Sequence, residues 1–313
     1  VSLNPAAGGA RILWNAALNI ALLPVYSVLF FFTSLLALTR LFPARVAREN
    51  IHQRWKSDSL SAWFGTSAVL FHYILLVIED FVLWPLGALV LRDNIESRRN
   101  LFDASTQAKR NEKGVAVLSA HFGNIEVTAQ AISSCLVQQV SNDLPLMALA
   151  KPSRHPAATR LLSWYRAKRK IEVIHTNRKD LVRQLLNAWK QQRAIALLID
   201  QKPAHAGFFT PFLGAPAAFP EGGVEIALRS KCEFVCVASR RMWPGCYTFD
   251  GLWLQNVTSN EKPLPAIVIA YAQWLEELIR QSPWQWCWDY KKWSRKPALH
   301  HHTERAPEIG NPT

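Results

Sequence analysis

The sequence predicts an α/β fold, a mostly parallel central sheet flanked by helices, with an N-terminal membrane-anchor helix ahead of it. Three observations carry that expectation. Short apolar runs alternate with helix-permissive segments from about Arg92 onward. Several of those runs are apolar throughout, as strands of a buried parallel sheet are. Finally, residues 12–39 contain no Asp, Glu, Lys or Arg.

That charge-free stretch, ILWNAALNIALLPVYSVLFFFTSLLALT, is 28 residues long, whereas a spanning helix needs about 20. Pro24 would kink it, which helices in a bilayer tolerate. The apolar part of a signal peptide is shorter, about 7–15 residues. An uncleaved, single N-terminal anchor over residues 1–45 is therefore expected. Arg40, Arg45, Arg48, Arg54 and Lys56 follow the stretch and Arg11 precedes it, so the positive-inside rule places the body on the cytoplasmic face. A second apolar window, 60–78, ends in Glu79-Asp80 and carries Gly65 and His72. It reads as a helix lying against the body or dipping into the bilayer surface, not as a second span. Residues 46–92 then form the membrane-proximal part of a domain over 46–298, followed by a polar tail, 299–313, that holds His300–His302.

Within the body, 94–113 is charged and helix-permissive, and GVAVLSA is a short strand. VTAQAISSCLV is a helix and LPLMALA a strand. HPAATRLLSWYRAKRK is a helix with basic residues gathered at its end, followed by the strand IEVIHT. LVRQLLNAWKQQ is an amphipathic helix with Leu181, Leu185, Leu186 and Trp189 on one face. AIALLID, GGVEIALRSK and EFVCVASRR read as strand, helix and strand. A last helix at 265–281 runs into SPWQWCWDYKKW, where Trp284, Trp286, Trp288 and Trp293 alternate in a partly strand-like pattern that suits core packing.

Half the residues are apolar, enough for a sizeable core, and 36 basic against 23 acidic residues leave a net charge of +13. Such an excess favours acidic lipid headgroups, an acidic carrier protein or nucleic acid, and composition does not choose among them. The five cysteines show no C-x-x-C spacing, so neither a zinc site nor a disulfide framework is expected. P-loop, G-x-G-x-x-G and G-x-S-x-G signatures are absent from the sequence, which weighs against nucleotide binding and α/β-hydrolase chemistry.

The candidate chemistry lies in VAVLSAHFGNIEV, 115–127. On one continuous helix His121 and Glu126 would point about 140° apart. They can meet if His121 ends a strand, Gly123-Asn124 turn, and Glu126 lies in the first turn of the next helix, where the helix dipole favours a carboxylate. A glutamate bonded to one imidazole nitrogen fixes the tautomer and leaves the other nitrogen as a base for a hydroxyl attacking a carbonyl.

HFGNIE resembles the H-x4-D/E box of glycerolipid-type acyltransferases, and specifically the HxGNWE variant of the bacterial lipid A late acyltransferase family. RVARENI, LLIDQKPAHAGFFTPFLGAPAAFPEG and SPWQWCWDYKKWSRKP resemble further segments of that family, in the same order. The resemblance implies a glycerolipid-acyltransferase-like sheet. It also implies transfer of an acyl chain from acyl-acyl carrier protein or acyl-CoA, as co-substrate, to a hydroxyl of a lipid A precursor. No metal and no other cofactor are implied. The implied setting is the bacterial inner membrane, with a membrane lipid acceptor and an acidic acyl carrier protein as partners and no nucleic acid. By resemblance His121 is the general base and Glu126 its partner. Arg166 is the best match to a family arginine, with Arg169 close by. Asp200 matches an aspartate at a strand end, and Asn124 joins these as a residue for substrate or oxyanion binding. RAKRK, 166–170, suits docking of a carrier protein or a lipid phosphate. Ile125 stands where the family usually has Trp, and Leu213 replaces a Phe. Acylation of another lipid, or a non-catalytic role in binding anionic lipid, are the alternatives.

Overall fold

The computed structural model describes residues 8–39, 41, 43–92, 94–139, 146–152, 156–203 and 207–294. Arg40 and the tail at 299–313 lie outside the described residues. Three helices come first: α1 (Gly8–Leu38), α2 (Ala44–Trp55) and α3 (Ser59–Ile78). The Asp58 carboxylate caps α3 by accepting from the Ser61 N–H at 2.6 Å. A π-helical turn, Glu79–Leu83, prolongs α3. α1 and α3 with this turn are long and apolar enough to cross a membrane.

α1 is not a bare tether. Asn15 on it is fully buried, and its amide donates to the carbonyls of Ala88 at 2.9 Å and Pro244 at 3.1 Å. Its oxygen accepts from Trp243 Nε1 at 2.7 Å. The window at 60–78 is the helix α3, which buries Ala62, Val69, Leu70, His72 and Leu75. Leu60, Phe64 and Val77 on the same helix are exposed.

β1 (Val90–Arg92) is an edge strand at the end of the stretch expected to be helical, and from there the body alternates as expected: α4 (Ile95–Arg110), β2 (Val115–Ser119), α5 (Ile125–Gln139), β3 (Leu146–Ala150), α6 (Pro156–Lys168), β4 (Ile171–His175), α7 (Leu181–Lys190) and β5 (Ala194–Leu198). β6 (Phe208–Phe212) and β7 (Ala215–Phe219) form a separate hairpin. α8 (Gly222–Arg229), β8 (Glu233–Trp243), β9 (Cys246–Trp253) and α9 (Pro263–Gln281) complete the chain of elements. The seven-stranded sheet has the order β1-β9-β8-β2-β5-β3-β4. Every pairing in it is parallel except β8 with β9.

Side chains alternate across the sheet, so each strand feeds two cores. Val115 and Val117 of β2 pack with Leu101 and Ala104 of α4 and Ile132 of α5. Ala116 and Leu118 pack on the other side with Trp189 of α7, Val224 of α8 and Tyr271 of α9. The Trp-rich segment after α9 differs from its strand-like pattern. It runs as 3-10 turns at Pro283–Gln285 and Lys292–Ser294 and makes one bridge, Phe122 with Trp286. Its alternation reflects packing, since Trp286 and Trp288 are buried in the core beside α9.

A buried ion pair joins the first helices to the sheet. The Arg241 guanidinium of β8 donates to both oxygens of Glu79, at 2.7 and 2.6 Å, and to His72 Nδ1. Glu79 also accepts from the Gly245 N–H at 2.8 Å and from the Tyr247 hydroxyl. Taking these charges out of water is costly unless every hydrogen-bonding site is filled, and here the carboxylate has four donors.

Candidate active site

β2 and β5 are neighbours in the sheet, with Ser119 opposite Leu198. The residues that follow these strands therefore emerge side by side at the carboxyl edge, where open α/β sheets place their ligands. His121 follows β2 and Asp200 follows β5. The His121 backbone N–H donates to Asp200 Oδ2 at 3.0 Å, and Nδ1 meets Oδ1 at 2.9 Å. Trp286 Nε1 adds a third donor, to Oδ2 at 3.0 Å. The Asp200 side chain is 1% exposed and that of His121 32%. A sealed carboxylate thus holds one nitrogen of an open imidazole, and the other, Nε2, has the amide of Gln201 3.4 Å away.

The electrostatics follow from this geometry. Burial alone would lower the His121 pKa, but the Asp200 charge and hydrogen bond outweigh it and hold it above the ordinary histidine value. Burial alone would raise that of Asp200. The His121 charge and hydrogen bonds, with Lys292 behind them, hold it below the ordinary carboxylate value. Lys292 is fully buried, and its Nζ donates to the Ala218 carbonyl at 2.7 Å and the Gln201 carbonyl at 3.5 Å. It also lies 3.5 Å from the centre of the Phe219 ring. Burial pushes its pKa down to about 7, against the pull of Asp200.

The turn after His121 is fixed by its small residues. Gly123 has φ +60°, and a Cβ there would run into the Ser239 carbonyl oxygen. Its N–H donates to the Gln285 carbonyl at 2.9 Å. Asn124 caps α5: its side-chain oxygen accepts from the N–H groups of Glu126 at 3.0 Å and Val127 at 3.1 Å. Glu126 leaves the first turn of α5 and meets Arg166 of α6. Nε donates at 2.9 Å and Nη2 at 2.6 Å, both to Oε1. Arg169, one turn on, is stacked over the rings of Trp84 and Tyr165, with Nη2 3.5 Å from Asp80 Oδ1. Asp80 accepts from Tyr165 at 2.7 Å and from the Asn124 amide at 3.3 Å.

The strand, turn and helix expected around His121 and Glu126 are present, but the pairing differs. The imidazole Nδ1 bonds Asp200, not Glu126. Sheet order brings Asp200 against the histidine, while the cap at Asn124 starts α5 so that Glu126 reaches Arg166. Gln201, Trp286, Lys292, Asp80 and Tyr165 also contact these residues, and the sequence alone assigns them no part in the site. Gln201 stands next to Asp200 in the LLIDQK segment, which was signal enough to have named it. Nothing in KKW distinguishes the buried Lys292 from a surface lysine. Among the described residues no group of His, Cys, Asp and Glu is placed to hold a metal ion.

A sequence model of the family described as bacterial lipid A biosynthesis acyltransferase matches residues 88–295. That span begins just ahead of β1 and contains every site residue named above except Asp80 and Trp84. No curated protein matches the sequence significantly.

Proposed function

Because the chain belongs to the bacterial lipid A biosynthesis acyltransferase family, we propose that it moves a fatty acyl chain from an acyl thioester to a hydroxyl of a lipid A precursor. His121 is the general base and Asp200 the group that orients it. The supporting observation is the open imidazole whose Nδ1 is held by a sealed carboxylate. An ionised Asp200 accepts a hydrogen bond from Nδ1–H and keeps the proton on that nitrogen, so the lone pair resides on Nε2. Nε2 takes the hydroxyl proton as the acceptor oxygen attacks the thioester carbonyl. When the tetrahedral intermediate collapses, the C–S bond breaks and the proton goes to the departing thiolate. In this reading Glu126 does not touch the base. It fixes Arg166, and that guanidinium is the cation we assign to the developing oxyanion or to an acceptor phosphate.

In the same reading the sheet is glycerolipid-acyltransferase-like, and α1 anchors the chain in the bacterial inner membrane. Arg45, Arg48, Arg54 and Lys56 after α1 favour a cytoplasmic body. Acyl-acyl carrier protein is the donor in this reading, although a basic excess suits polyanionic coenzyme A equally well. Lipid mass spectrometry of a deletion strain tests the acceptor. A lipid A species one chain short should accumulate, and be restored by the wild-type gene but not by His121→Ala. If a lysophospholipid, glycolipid or ornithine lipid changes instead, the acceptor assignment falls. Full restoration by His121→Ala would remove the mechanism.

A further inference from the structure

The outward face of α6 carries a pattern that the acyl-transfer chemistry does not use. Arg160, Leu161, Trp164 and Lys168 follow at helical spacing and are all exposed. Leu161 is 49% and Trp164 58% exposed, far beyond what a helix packed on a sheet needs. The Lys168 ammonium lies 5.7 Å from the Trp164 ring centre, and Lys170 is exposed just beyond it. Two large apolar groups are thus flanked by cations. Tyr165, one turn on from Leu161, is buried at the flank of this ridge, and Arg166 leaves the opposite face to meet Glu126.

This ridge is not isolated. Phe81, 48% exposed on the π-helical turn, stacks on Tyr165 with ring centres 5.7 Å apart. Val82 and Leu86 are exposed beside it. Leu86 accepts a hydrogen bond from Trp14 Nε1 at 3.0 Å, and Leu13 and Trp14 begin the bare apolar face of α1. Exposed apolar residues therefore occur on α1, on the π-helical turn and the Leu86 segment bonded to α1, and on α6, whose Tyr165 stacks on that turn, with basic residues at the α6 end.

We propose that the Leu161–Trp164 ridge of α6, with Phe81 and Leu86, is a second membrane contact that rests in the headgroup region of an anionic bilayer. The link to α1 through the π-helical turn selects a bilayer as the occupant, since one apolar phase covers both surfaces whereas a docked protein would have to stop where α1 begins. The composition agrees with that occupant. Trp favours the interface, Leu and Phe reach the acyl boundary, and Arg160, Lys168 and Lys170 meet lipid phosphates. The contact brings α6 to the bilayer on one face while its other face holds Arg166, so an acceptor headgroup can reach the site without leaving the interface.

Depth measurement on the full chain tests this without turnover, so its outcome is separate from that of the acyl-transfer reading. Trp164→Cys carries an environment-sensitive fluorophore, and Lys190→Cys, exposed on α7, serves as comparator. The four cysteines 135, 232, 236 and 246 are buried, and the parent chain treated identically corrects for the partly exposed Cys287. In vesicles of phosphatidylethanolamine and phosphatidylglycerol, a shallow lipid nitroxide should quench the probe at 164 several-fold more than at 190. Aqueous iodide should show the reverse order. Leu161→Cys should repeat the result and guards against misfolding at one position. Equal iodide quenching at 164 and 190 overturns the proposal. So does a probe at 164 that stays in water on vesicles and is shielded only when acidic acyl carrier protein is added.

Discussion

Replacing Asp200 by Asn changes few atoms and has a calculable consequence. Three donors converge on the carboxylate: the His121 N–H and Trp286 Nε1 on Oδ2, and the Nδ1 side of the imidazole on Oδ1. An amide has one acceptor oxygen. Placing it at Oδ2 satisfies two donors, and each buried donor left unpaired costs about 1–3 kcal/mol. The amide nitrogen then faces Nδ1 and donates to it. The imidazole must carry its own proton on Nε2, where a base needs a lone pair. Turnover should fall by about 10²–10⁴-fold, the range for a general base. The charge is lost as well, so the imidazole pKa drops. Wild-type activity should rise with pH through a value above that of ordinary histidine, because the neutral ring is the active form and Asp200 holds the pKa up. In Asp200→Asn any residual activity should rise at lower pH. Steady-state acyl transfer across a pH series measures both effects, with circular dichroism as the check on folding. Wild-type turnover with an unmoved pH limb in Asp200→Asn, together with a shifted limb in Glu126→Gln, would refute the reasoning and restore Glu126 as partner.

Other substitutions probe the supports of the site. Gly123→Ala should displace the turn from Ser239 and reduce turnover and thermal stability together, read by melting in detergent. Arg241→Met leaves Glu79 buried without its cation and should destabilise by about 3–5 kcal/mol, with Glu79→Gln in the same chain recovering part of the loss. The folded-state pKa of Lys292 lies below its ordinary 10.5, at about 7. Its neutral form therefore adds stability that is complete above 10.5 and lost as pH falls through about 7. Lys292→Met should abolish that slope and gain most on the wild type below pH about 7, by several kcal/mol at most, as unfolding across pH will show.

The alternation of β2, α5, β3, α6, β4, α7 and β5 was legible because each strand is a short apolar run bounded by polar turns. β9 escaped because Asp250 and Gly251 interrupt its apolar pattern, and the β6–β7 hairpin because Pro211 and Pro216 sit where ladder donors are expected. The turn at Gly123-Asn124 could be read locally. The partner of His121 could not, since Asp200 lies 79 residues away and reaches it only through the adjacency of β2 and β5. Local spacing favoured Glu126, and spacing carries no knowledge of strand order. Arg166 stands out only through the family resemblance, and its ion pair with Glu126 depends on how α6 lies against α5. The lysine at 292 was invisible for a different reason: burial of a cation is a property of the finished core.

The amide of Asn15 has one further implication. A helix whose side chain is bonded to carbonyls at 88 and 244 cannot rotate or slide without breaking those bonds. In the proposed bilayer setting α1 acts less like a mooring line than like the leg of a fixed table, which sets the height and tilt of the catalytic edge above the lipid. Anchors would then not be interchangeable. A chimera carrying an unrelated spanning helix of equal length should still reach the membrane yet lose acyl transfer to a membrane-embedded acceptor. One that keeps Trp14, Asn15 and Asn19, whose amide also donates to the Pro244 carbonyl at 2.9 Å, in register should retain it.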